Sequence, residues 1–307
     1  MTTSRPILVT GSHRSGTGWV ARVLSGSRTP VHYLWEPFSL LARPGICAAG
    51  FRVWFPYVCD ENEGAYLGPV GDTVALRYNL SAELGSLRSP KDVARMLRDR
   101  RAMQRAARVG ARALLKDPIA LFSTEWLADR FDVEPVVLIR HPGAFASSIV
   151  QHGWRHRFGD FLAQPLLMRD RLESERGEIE RFAAAEQPLL DQAILLWNLL
   201  HGEIARLQSD RLDWIFRRHE DLSAEPLASF ADLYRRLGLV DDGSLEGVVE
   251  HYSGASNPVT VRRAGEQRRD STAALSLWKE RLDRADIARV RDGTAEVASA
   301  FYTDDDW

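Results

Sequence analysis

Five short apolar runs punctuate the chain, and each ends in a polar or charged signal. Ile7-Leu8-Val9, Val31 to Trp35, Ala113 to Lys116, Pro135 to Ile139 and Leu212 to Arg217 have the length and apolar weight of buried strands. They lead into Gly11-Ser12-His13-Arg14, Glu36-Pro37, Asp117-Pro118, Arg140-His141-Pro142 and His219-Glu220 in turn. Helical signals lie between them. Trp19, Val20, Val23 and Leu24 recur at helical spacing just after the first loop. Ser89-Pro90-Lys91-Asp92 supplies a Ser cap, Pro in the first turn and an acid beside it, and predicts a helix to about Val109. A further helix is expected from Leu121 to Arg130, and Pro142 opens one carrying Ala144, Phe145, Ile149 and Val150. The span from Phe161 to Asp210 reads as helical, with Leu190, Ile194, Trp197, Leu200, Ile204 and Leu207 as a core stripe. Helices over Pro226–Leu237, Ser244–Tyr252, Ser271–Arg281 and Arg284–Phe301 complete the pattern. Strands alternating with helices predict an α/β fold with an open parallel sheet, whose ligands lie at the carboxyl ends of its strands.

Two regions break the rhythm. Residues 37–89 are rich in Gly, Pro and aromatics, among them Phe51, Trp54, Phe55, Tyr57, Tyr66 and Tyr78, and show no clean period. Such an insertion reads either as a lid or substrate wall or as a side core. Ser253 to Asp270 is a loop dense in Gly, Asn and Arg. The helix from Ser89 carries Lys91, Arg95, Arg98, Arg100, Arg101, Arg105 and Arg108, either a solvated face or a surface attracting an anionic acceptor.

Composition adds limits. The chain has 307 residues, 45% hydrophobic and 27% charged, enough for one large domain spanning 1–307 with the insertion inside it. A net charge of −2 supplies no basic field for nucleic acid. The two cysteines, Cys47 and Cys59, form no CxxC, the eight histidines make no zinc pattern, and no metal site is expected. No apolar run reaches signal-peptide or transmembrane length, so the expected location is the cytoplasm.

The first loop carries the chemistry. A strand, a tight loop and a helix point the unpaired N–H groups of the first turn into the loop, and Arg14 adds a fixed charge: an anion site for phosphate or sulfate. Gly11 and Gly16 have the spacing of a GxxxxGK[ST] loop, yet Thr17 stands where its Lys belongs and Gly18 follows. An ordinary magnesium–nucleotide site is therefore disfavoured. Arg14-Ser15-Gly16-Thr17-Gly18-Trp19 instead resembles the 5′-phosphosulfate loop of the sulfotransferases, which use 3′-phosphoadenosine 5′-phosphosulfate (PAPS). That loop runs Lys-Ser-Gly-Thr-Thr-Trp in the cytosolic branch and Arg-Ser-Gly-Ser-Ser in the carbohydrate branch. Gly18 departs from both and removes one hydroxyl.

Val136 to Ser148 resembles the family's 3′-phosphate segment: strand, Arg140, helix, and Ser148 eight residues on. Arg140 at a strand end can fork onto a phosphate and Ser148 can add a hydrogen bond. Weaker agreements are Leu115-Lys116-Asp117-Pro118, the Glu220-Asp221-Leu222 stretch, and Gln267 to Ser271 ahead of Trp278-Lys279. From these the resemblance implies a P-loop-like three-layer α/β/α fold with additional C-terminal helices. It implies PAPS held by Arg14, Ser15, Gly16, Thr17, Gly18, Trp19, Arg140, Ser148 and Arg269 or Arg268, with no metal required. Trp19 stacks on adenine or anchors the first helix. Arg14 and Lys116 would stabilise the leaving group. Tyr33-Leu34-Trp35-Glu36-Pro37 resembles a segment of the N-acetylglucosamine 6-O-sulfotransferases and makes Glu36 the candidate base, with His32 and His13 behind it. The acceptor is then a hydroxyl or amine of a small molecule, sugar or glycolipid. The alternatives are a P-loop kinase or nucleotide hydrolase with a degenerate loop, and a non-catalytic nucleotide-binding protein.

Overall fold

The computed structural model describes residues 5–260 and 267–307, so part of the 253–270 loop lies outside the described residues. Five strands form: β1 (Ile7–Gly11), β2 (Val31–Trp35), β3 (Arg112–Lys116), β4 (Glu134–Ile139) and β5 (Ile215–Arg218). All pair in parallel, in the order β2-β3-β1-β4-β5. Helical crossovers make this possible, since parallel neighbours need a long connection. The side-chain period of two then builds separate cores on the two faces of the sheet. Leu8, Leu34, Leu115 and Val137 face one core, while Ile7, Val9, Leu114, Val136 and Leu138 face the other. The result is three layers, α/β/α.

Topology places the site. From β1 the chain moves outward to β2, returns to β3 beside β1, then crosses to β4 on β1's other flank. Connections on either side of β1 leave in opposite directions, which opens a crevice at its carboxyl end.

Residues 37–89 hold more order than their sequence shows, including helices Leu67–Val74 and Leu80–Leu84. Phe38 stacks on Phe51 at 4.5 Å and Phe51 on Tyr66 at 5.1 Å, and these rings belong to the core that Leu8, Leu34 and Leu115 face, so much of the insertion extends that core. Distant acceptors hold its backbone. Trp54 N donates to Asp160 Oδ2 at 3.0 Å, Tyr57 N to Gln164 Oε1 at 2.8 Å and Val58 N to Ser123 Oγ at 3.0 Å. Anchors 65 to 107 residues away leave no local period to detect.

The helix from Ser89 spans Pro90–Arg108, with Ser89 Oγ accepting from Asp92 N. Its arginines meet Asp92, Glu83 and Asp99 or face outward, and none lines the main cavity. Four other expectations change. The Phe161–Asp210 span is broken into segments ahead of the long helix Leu189–Asp210, with breaks at Pro165 and Pro188, which lack an N–H. Residues 118–123 form a 3₁₀ turn before the helix Thr124–Phe131. Only Leu277–Arg281 of the Ser271–Arg281 span is helical, because Ser271 and Thr272 donate their hydroxyls to the Ser223 carbonyl. β5 starts at Ile215 instead of Leu212, which points into solvent. Among the described residues, no helix is long and apolar enough to cross a membrane.

Candidate active site

A cavity of about 890 Å³ opens at the carboxyl ends of the strands. Arg14 enters it after β1, Glu36 after β2, Lys116 from the end of β3, Arg140 after β4 and His219 after β5. The strand-end rule therefore finds a residue on every strand.

The β1 loop is shaped by two glycines. Gly11 has φ +127°, and a Cβ there would collide with the Leu138 carbonyl of the neighbouring strand. Gly16, at φ +89°, caps the helix Thr17–Leu24, and a Cβ on it would lie 2.5 Å from His219 Nδ1. That imidazole Nδ1 sits 3.1 Å from the Ser15 carbonyl. Ser15 N and Oγ both donate to the Ser12 carbonyl. The N–H, hydroxyl and carbonyl of Ser15 are thus engaged within the protein, and Ser15 is not among the described residues that line the cavity. Thr17 and Gly18, in the first turn, do line it. No side chain of Gly16 caps the helix, so the first-turn N–H groups remain open to an anion.

Arginines converge on this loop. Arg14, at φ +67°, donates from Nε to Ser148 Oγ at 2.8 Å and lies 5.2 Å over the Trp154 ring. Arg140 is 9% exposed, and its buried Nε has no hydrogen-bond partner among the described residues. The nearest carboxylate, on Glu220, is 3.8 Å away. Burial lowers the pKa of both groups, and Arg140 lowers that of Arg14 further. Arg269 is pushed down to about 10, first by burial and then by Arg140, Arg14 and Arg281. Neither Arg14 nor Arg269 forms an ion pair among the described residues. Like charges held together out of water call for a counter-anion. Arg268, by contrast, is exposed, bonds to the His251 carbonyl at 3.3 Å and lies off the cavity.

Trp19 is 6% exposed, donates from Nε1 to Ser253 Oγ at 2.9 Å and meets Phe230 edge-on at 5.1 Å. It anchors the first helix in the core, with a part of its surface at the cavity.

Glu36 sits in a strained position, at φ +44° ahead of Pro37. Its N–H donates to the Lys116 carbonyl at 2.9 Å and its carboxylate pairs with the Lys116 ammonium. The register explains the pair, because Trp35 lies opposite Lys116 across β2 and β3. Asp117 clamps the next turn, accepting from Phe38 N at 2.6 Å and Ile119 N at 3.0 Å. Burial pushes its carboxyl up to about 7. Among the described residues that line the cavity, Glu36 is the one carboxylate. Trp35, Trp54, Phe55 and Trp154 form an aromatic wall. His13 lines the cavity too, but burial drives its pKa down to about 3. His32 lies on β2 and does not reach the cavity.

Sequence reasoning missed three contributors. His219 sits at a strand end and was accessible to the same rule that found Arg140. Gln267 opens the Gln267–Ser271 stretch that stands out for its arginines, and Trp154 carries no local signal.

Buried histidines give the fold a pH dependence. Burial drives His13, His156 and His201 to about 3 and His141 to about 4. Their folded values lie below the unfolded 6.5, so their contribution is complete above that pH and is lost as pH falls toward 4. Asp117, raised to about 7, acts in the opposite sense as one group against four. The melting temperature should fall between pH 6.5 and 4.5; a flat profile would show that these histidines are charged in the fold.

No protein-family model matches the chain, and no curated protein does. Among solved structures, the sulfotransferase domain from the curacin biosynthetic pathway is 14% identical, with 96% of each chain covered and a TM-score of 0.49. The sulfotransferase domain from the Synechococcus PCC 7002 olefin synthase is 17% identical over 98% of this chain and 96% of that one, with a TM-score of 0.49. A sulfotransferase from Alicyclobacillus acidocaldarius is 16% identical over 95% and 96%, with a TM-score of 0.37. Likeness at that level carries no argument about chemistry. The residues of the cavity have to supply one.

Proposed function

We propose that the protein is a PAPS-dependent sulfotransferase acting on an acceptor hydroxyl. One observation supports this most. Arg140, buried and with an Nε that makes no hydrogen bond among the described residues, lines the same cavity as the β1 anion loop, so two anion sites at separate strand–helix junctions share one cleft. A nucleotide bearing phosphate at both its 3′ and 5′ positions supplies one anion for each. The absence of Lys at position 17 disfavours a magnesium–triphosphate ligand.

Bound PAPS supplies the sulfuryl group and, on transfer, a bisphosphate leaving group. The residues divide the remaining tasks. Arg14 and the N–H groups of the first turn hold the 5′ end, while Arg140, Ser148 and Arg269 hold the 3′-phosphate. Lys116 and Arg14 neutralise charge on the departing phosphate oxygen. Glu36 takes the proton of the acceptor hydroxyl as its oxygen bonds to sulfur and the old S–O bond breaks, leaving its electron pair on the phosphate. No metal is needed in this scheme. The aromatic wall suits the flat face of a sugar ring or another flat body. Among the described lining residues the single carboxylate is already paired with Lys116, which gives an amine cation little to bind there.

Calorimetry tests the reading. 3′,5′-Adenosine bisphosphate should bind much more tightly than AMP, since charge-assisted contacts to the second phosphate contribute about 1.5–3 kcal/mol each. Turnover should also survive EDTA. Equal affinity for the two nucleotides, or activity lost to EDTA and restored by magnesium, would overturn the proposal in favour of a kinase or hydrolase.

A further inference from the structure

Gly18 is where the β1 loop departs from the sulfotransferase loops it resembles, which carry Thr or Ser there. The structure shows what fills the gap. A Cβ on Gly18 would lie 2.7 Å from Gln267 Oε1, 2.9 Å from its Cδ and 3.0 Å from its Nε2. The amide of Gln267, from almost the opposite end of the chain, thus occupies the volume a hydroxyl-bearing side chain takes. Both polar atoms of the amide come within 3.0 Å of that point, so a donor reaches it whichever way the group is turned. Gly18 and Gln267 both line the cavity, beside Thr17 and Arg14. Gly18 is the second residue of the helix Thr17–Leu24, where first-turn N–H groups face the cavity.

We propose that Gln267 is a phosphate-binding residue, whose amide N–H donates to the 5′-phosphate of the nucleotide in place of the missing hydroxyl. This rests on the sulfotransferase reading above. The physical logic is an exchange of one donor for another at a fixed place. Removing the side chain at 18 makes room for the amide, and the amide restores the hydrogen bond that the glycine removed. The donor then belongs to the segment that also carries Arg269, so one stretch of chain serves both ends of the nucleotide. Gly18 and Gln267 are therefore expected to be coupled in binding, although neither is next to the other in sequence.

The experiment is a double-mutant cycle read by calorimetry with AMP and with 3′,5′-adenosine bisphosphate, on the parent, Gln267→Ala, Gly18→Ser and the pair. Gln267→Ala should weaken both nucleotides by roughly tenfold or more, because the lost contact is to the phosphate they share. In the Gly18→Ser background the same substitution should cost less than about threefold, since the serine hydroxyl replaces the amide. A merely structural role would lower the melting temperature and would not be rescued by a hydroxyl at 18. Unchanged AMP affinity in Gln267→Ala, or an equal loss in both backgrounds, overturns the assignment. If the parent itself binds neither nucleotide, the sulfotransferase reading fails first and takes this one with it.

Discussion

Glu36→Gln should cut kcat by about 10²–10⁴-fold, the usual contribution of a general base. The substitution is nearly isosteric, and its amide oxygen can still accept from the Lys116 ammonium that pairs with the carboxylate. The strained backbone at φ +44° is unchanged, and so is the N–H bond to the Lys116 carbonyl. The fold and the bisphosphate affinity should therefore stay close to the parent's. The competing account is structural: Glu36 exists to hold Lys116, and both sit at the edge of the core with 16% and 11% of their side chains exposed. On that account Glu36→Gln turns over normally, or loses mainly stability and bisphosphate affinity. Either result would remove Glu36 as the base. His13 is then the remaining candidate at the cavity, and its pKa near 3 makes it a weak one.

Arg140→Ala should weaken 3′,5′-adenosine bisphosphate by the equivalent of about 1.5–3 kcal/mol, roughly ten- to 150-fold, and leave AMP affinity nearly unchanged. Most of that loss is the contact itself. Removing a buried guanidinium usually strands a partner, but here Glu220 keeps the His141 N–H at 3.2 Å and the Tyr302 hydroxyl at 2.9 Å. The substitution also takes one guanidinium out of a cavity it shares with Arg14, Arg269 and Arg281, which relieves like-charge repulsion and favours the fold. A melting temperature at or above the parent's is expected alongside the weaker binding. Loss of AMP and bisphosphate affinity in equal measure would instead place Arg140 in the general shape of the site. Unchanged bisphosphate affinity would remove it from the site altogether.

By itself the sequence determined what is local. Strand, loop and helix from Ile7 to Leu24 follow from an apolar run, two glycines and helical spacing over some eighteen residues, and the structure has all three. The same holds for Ser89 as a cap and for Arg140 at a strand end, since caps and strand–helix junctions involve neighbours in the chain. Which strands lie side by side is not local. The partnership of Glu36 with Lys116 exists because β2 pairs with β3 in a register that puts Trp35 opposite Lys116. The turning of Ser15 away from the cavity depends on how tightly the loop closes on the Ser12 carbonyl. The insertion's aromatics are divided between core and cavity wall by backbone bonds to Asp160, Gln164 and Ser123. The amide of Gln267 reaches Gly18 only because the folded chain brings its two ends over one helix. Periodicity and capping are short-range effects that any stretch displays alone, whereas register, burial and charge convergence come from segments that meet only when the sheet has closed.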